Sequence, residues 1–156
     1  MSSMKTTDRY LYRFEVEGTY DGEVIKRGIF HTPDEWIHPN LSSKEGMDNY
    51  FTLFGIFADK LESPDLRGHV NSISFFTEDG YRKFRKHLRI CKGIFERNGY
   101  KWCKHKIPII PDVTILYEDK NQVIYDRTEW RIKMTAFLKS KGMDVSILEK
   151  EESPPD

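Results

Sequence analysis

An α+β fold, with a mainly antiparallel sheet packed against about three helices, is what this sequence predicts, on three observations. Strand-like and helix-like segments are mixed without a regular βαβ rhythm. Pairs of apolar, alternating runs are joined by short polar turns, as in hairpins. Helix-like runs open on a capping residue followed by an acid. The 156 residues suffice to bury one core without disulfide or metal staples. Ten Phe, eight Tyr and three Trp set the chain apart from disordered compositions. A single domain is expected over residues 1–148. The last eight residues, EKEESPPD, have almost nothing to bury and are expected to form an acidic disordered tail, 149–156.

The expected order is β-β-α-β-α-β-β-β-α. YLYRFEVE, residues 10–17, alternates as a strand, Gly18 to Gly22 is turn-like, and VIKRGIF supplies the hairpin partner. HTPDEWIHPNLSS, broken by Pro33 and Pro39, reads as an exposed loop. Ser42 with Glu45 fits a capping box, and Met47, Tyr50, Phe51, Phe54, Phe57, Ala58 and Leu61 follow at helical spacing. Leu53 and Ile56 carry the apolar surface further round, so this helix is expected to be the most buried. It should end near Leu61, with Gly55 permitting close packing. VNSISFF is a short strand. Thr77 then caps a helix whose Tyr81, Phe84, Leu88, Cys91 and Phe95 form one apolar stripe, closed by Asn98-Gly99. YKWCKHKIPI alternates as a strand, with Lys101, Cys103 and His105 on one side and Trp102, Lys104 and Lys106 on the other. Pro108 marks its end or an edge. TILYEDKNQVIYD is a hairpin turning at Glu118 to Asn121. Asp126 with Glu129 opens a last helix carrying Trp130, Ile132, Met134, Phe137 and Leu138, and Lys139, Lys141 and Gly142 suit its end.

The formal net charge is zero, so electrostatic steering must come from how the charges are distributed. Between Arg82 and Lys106 stand ten Lys and Arg residues and a single acid, Glu96. On the second helix Arg82, Lys83, Arg85, Lys86, Arg89 and Lys92 fall opposite the apolar stripe. The candidate binding residues are therefore Arg82, Arg85, Lys86, Arg89, Lys92, Trp102 and Lys104, with Trp102 as an aromatic anchor. An acidic protein surface or nucleic acid is the expected partner, since both favour cations interleaved with aromatics. The competing expectation is a solvated face balanced by Glu15, Glu17, Asp21 and Glu23. No helix-turn-helix, zinc-finger or RNP-type pattern accompanies the block.

The opening MSSMKTTDRY lacks the apolar stretch of a secretory signal, and no run approaches the roughly 20 apolar residues of a membrane span. A cytoplasmic protein without a membrane partner is expected. Cys91 and Cys103 are too few for a disulfide framework. Cys103 and His105 are two residues apart, but the five His and two Cys form no ligand spacing, and no metal is expected. There is no GxSxG elbow, no GxxxxGK[ST] loop and no GxGxxG after a strand. A non-catalytic interaction protein without a cofactor is the leading expectation.

Two resemblances add to this. Arg13 in Leu11-Tyr12-Arg13, Ser74 in the strand-to-helix passage Ser72 to Thr77, and Glu118 near Gln122 resemble the arginine, serine and glutamate of ADP-ribosyltransferases. That likeness implies NAD as cofactor, with Arg13 on the pyrophosphate, Ser74 supporting the nicotinamide pocket and Glu118 stabilising charge on the ribose. The family's paired Gln/Glu-x-Glu pattern is absent. The runs FFTEDGYRKF and ILYEDKNQVIY resemble small uncharacterised proteins of phages and Gram-positive accessory genomes. That likeness implies binding to, and inhibition of, a host or defence component.

Overall fold

In the computed structural model, residues 10–37, 40, 42–64, 66 and 71–143 are described. The elements are β1 (Tyr10–Tyr20), β2 (Glu23–Gly28), α1 (Lys44–Lys60), β3 (Ser72–Phe76), α2 (Glu78–Arg97), β4 (Lys101–Pro108), β5 (Ile115–Glu118), β6 (Gln122–Asp126) and α3 (Arg127–Ser140). The fold is α+β, in the expected order, and all strand pairs are antiparallel. The predicted tail 149–156 and Val70, predicted to open β3, lie outside the described residues.

β1 organises the sheet. Its residues Tyr10 to Glu17 pair with β4, while Glu15 to Tyr20 pair with β2 and Tyr12 pairs with Phe76 of β3. Glu15 and Tyr12 each have β4 on one side, so β2 and β3 must share β1's other edge, one after the other. Beyond β3 the sheet continues through β6 to β5. The even residues Tyr12, Phe14 and Val16 face α1 and α2, forming one core with Phe76, Phe57, Phe84, Leu88, Cys91 and Phe95. Leu11 lies on the opposite face, where Ile73, Phe75, Ile107, Val123 and Tyr125 pack under Trp130, Met134 and Leu138 of α3.

The helix starts follow from their caps. Thr77 accepts from the Gly80 amide and Asp126 from the Glu129 amide, as expected. At α1 the cap is Ser43, which accepts from Gly46, one residue later than the predicted Ser42. Gly99 and Gly142, at φ 90° and 67°, close α2 and α3. The β1–β2 turn is Asp21-Gly22, both at positive φ, as a tight hairpin with right-handed twist requires. Gly18 is therefore a strand residue. A Cβ there would come within 2.3 Å of the Tyr100 ring, so its bareness makes room for the stacked Trp36–Tyr100 pair.

Three further expectations change. α1 is not the most buried helix, because only Gly46, Leu53 and Phe57 of its residues are buried, with Phe54 packed partly against the core, whereas Met47, Tyr50, Phe51 and Ile56 are exposed. It lies on α2 by one stripe, and Gly55 touches nothing. The segment read as an exposed loop buries Trp36 and Ile37 completely, because a 3-10 turn at Asp34–Trp36 aims the indole at Tyr100. Ile132 faces solvent, since Trp130, Met134 and Leu138 at four-residue steps already define the buried side of α3.

Candidate functional site

α2 crosses the β1–β4 end of the sheet on its even face. The register sets Phe14 opposite Lys104 and Val16 opposite Trp102, so Trp102, Lys104 and Lys106 project towards the helix. Lys101, Cys103 and His105 project to the other face, as the alternation predicts. Between α2 and β4 lies a recess of about 210 Å3 lined by Phe14, Tyr81, Leu88 and Trp102 below and Arg85, Arg89, Lys92 and Lys104 at the rim. Five of the seven predicted binding residues thus converge.

The recess holds positive charge against aromatic surface. Lys104 Nζ donates to the Tyr81 hydroxyl at 2.7 Å and sits 4.4 Å from the Tyr81 ring centroid. Lys106 Nζ is 4.3 Å from the Tyr10 ring. The quadrupoles of these rings favour a cation on their faces and hold both ammonium groups at the recess side of the strand. Among the described residues no carboxylate pairs with Arg85, Arg89, Lys92 or Lys104. Arg82, by contrast, pairs with Asp79 one turn earlier on α2, and Lys86 is exposed outside the recess lining. Trp102 is no projecting anchor. Half-buried against Phe14 and Phe95, it forms a wall.

Two of the four acids expected to balance this face, Glu15 and Glu17, lie on the other side of the sheet. Glu15 is on the opposite side of the sheet, with Arg13 Nε 2.9 Å from one oxygen and His105 Nε2 2.7 Å from the other. Glu17, two residues on, shares that side.

The residues that resemble an ADP-ribosyltransferase set are placed differently. Arg13 lies at the seam where β1's edge passes from β2 to β3. Its NH1 donates to the Ser74 carbonyl at 3.1 Å, and Arg127 Nε donates to the Ser72 carbonyl at 3.1 Å. Gly28 lacks a Cβ just where the guanidinium passes; one would come within 2.9 Å of Arg13 NH2. The seam encloses about 30 Å3, lined by Arg13, Ser74, His31 and Gln122 among others, room for about one water molecule. Glu118 is not among the lining residues. It ends β5 rather than turning the hairpin, pairs with Val123, and stands three strands from Arg13, about 14 Å away. Arg13 and Ser74 meet, then, through a main-chain carbonyl, and Glu118 does not join them.

No family model, curated protein or solved structure matches this chain. The chemistry of the site rests on its own residues.

Among the described residues, no three His, Cys, Asp or Glu side chains are grouped to hold a metal, and no helix is long and apolar enough to cross a membrane. Burial pushes the Cys91 thiol up to about 12, and burial likewise raises that of Cys103, so neither is a ready thiolate at neutral pH. His31 is held below its ordinary value by burial and then by the charges of Arg13, Arg127 and Arg27, a shift that favours the neutral imidazole. The gathering of three arginines round His31 comes from distant segments and carries no local sequence signal. Tyr81 and Phe14 were legible only as core residues; their second role, as the recess floor, depends on strand register.

Proposed function

We propose that this chain is a non-catalytic binding protein that engages an acidic protein partner through the α2–β4 face. The observation that carries the reading is the set Arg85, Arg89, Lys92 and Lys104, four cations without a described carboxylate partner round an aromatic recess. All four cations are exposed, so each gains little alone; their grouping on one face gives a summed attraction for a carboxylate-bearing segment that weakens as salt rises. The chain's pI of about 7.0 favours a protein partner over nucleic acid, whose binding domains are commonly strongly basic. With the likeness to phage and accessory-genome proteins, the partner would be a host or defence component that the chain inhibits.

The test is binding of fluorescent poly-glutamate and of a single-stranded oligonucleotide at two salt concentrations. Arg85→Glu with Arg89→Glu and Lys92→Glu should abolish poly-glutamate binding without altering the circular dichroism spectrum, and the wild-type affinity should fall as salt rises. Unchanged affinity in the triple variant would sink the reading.

A further inference from the structure

Among the described residues β4 pairs only with β1, so its outer edge is unpaired. The direction of its main-chain groups follows from the sheet itself. Ile29 N–H donates to the Phe14 carbonyl, which places the main-chain groups of even β1 residues on the β2 side and those of odd residues on the β4 side. In the β1–β4 register odd residues face odd residues, so Lys101, Cys103, His105 and Ile107 bond to β1. Trp102, Lys104 and Lys106 turn their N–H and C=O groups outward. Pro108 has the same parity and brings no N–H to that edge, the place in a sheet where proline is tolerated.

The three outward-facing residues are also those whose side chains point to the basic recess. We infer that the partner supplies an extended acidic segment that adds to the sheet as an antiparallel strand on β4, its alternate carboxylates reaching the recess rim. This rests on the α2–β4 face being the binding surface. Successive same-side residues of a strand are about 6.7 Å apart, and Arg85, Arg89 and Lys92 follow each other along α2 at about 6 and 4.5 Å, close enough for each carboxylate to find a cation. The charge also selects the occupant. Lysines at 101, 104 and 106 would oppose the same edge of a second copy, whereas a strand carrying Glu or Asp is attracted.

The probe is an eight-residue peptide of alternating Val and Glu, measured against the full chain by fluorescence anisotropy. In an antiparallel pair the peptide residues whose amides point at β4 lie directly opposite Trp102, Lys104 and Lys106, and so carry the side chains on the recess side, the glutamates. N-methylation of the glutamates should weaken binding at least tenfold, and N-methylation of the valines should leave it within twofold. Equal affinity of the two methylated peptides overturns the added strand. If that occurs while Arg85→Glu with Arg89→Glu still abolishes binding of the parent peptide, the basic face remains the binding surface and only the strand pairing is lost. If the double variant binds the parent peptide as well as wild type does, the face itself is wrong. Direct binding of a labelled single-stranded oligonucleotide with no binding of the peptide would replace the protein segment by nucleic acid.

Discussion

At the scale of single residues, two glycines separate freedom from necessity. A Cβ on Gly80 would lie 2.0 Å from the Asn121 carbonyl oxygen, where the first turn of α2 abuts the β5–β6 turn, and Thr77 N–H already donates to that same carbonyl. Gly55 has nothing within 4 Å and sits inside α1. Gly80→Ala is therefore expected to destabilise by about 1–3 kcal/mol, as main chain must shift to admit the methyl. Gly55→Ala should stabilise by about 0.5–1 kcal/mol by restricting the unfolded chain and improving helix propensity. Urea denaturation of the two variants reads both; the same sign for both would show that these surroundings do not govern the outcome. In sequence the two glycines are alike, each a break in a helical pattern. What tells them apart is the approach of a hairpin more than forty residues away.

Among elements, the caps and stripes were the most legible part of the chain, because they depend on neighbours three and four residues along. Thr77, Asp126, Asn98-Gly99 and the buried stripe of α2 stand as the local pattern predicts. α1 was misjudged for a physical reason. Periodicity reports that a helix surface is apolar but not how much of it a partner covers, and Phe51 is 62% exposed despite its place in the stripe. α3 carries a pH-dependent tie. Glu129 accepts from the Thr114 amide and from Lys133, both at 3.0 Å, and these bonds lower its carboxyl from the ordinary 4.5 to about 2. A depressed folded value means the carboxylate's contribution is complete above pH 4.5 and is lost as pH falls from there to about 2. Glu129→Gln should flatten thermal stability across that interval while leaving its pH dependence from 5 to 8 unchanged. Melting curves that stay parallel to wild type through the acid range would refute the tie. In the recess, the cations were legible from composition and the helical half of their placement from periodicity. The floor was not, because the pairing of Phe14 with Lys104 depends on a register set by contacts between distant strands.

For the whole molecule, the seam between β2 and β3 is the critical joint. Glu15 is wholly buried and held by Arg13 and His105, while Arg13 and Arg127 supply donors to β3 carbonyls that no strand reaches. Arg13→Met would leave a buried carboxylate short of a partner and should cost about 3–5 kcal/mol in urea denaturation. Adding Glu15→Gln should recover part of that loss, since an amide is far cheaper to bury than a charge. A loss below about 1 kcal/mol for Arg13→Met would show the pair to be peripheral to the fold.

β1 has a further consequence as the strand lodged between β4 and the β2/β3 edge. Of its three neighbours, only β2 is adjacent to it in the chain; β3 and β4 come from beyond residue 71. A chain cut between Pro64 and Asn71 would therefore give a first piece holding β1, β2 and α1, and a second in which β3 and β4 flank an empty slot one strand wide. Neither piece can close the sheet alone, and together they can close it only by insertion. β1 is thus the key that closes the sheet, and the seam at Arg13 is the place where its fit is felt.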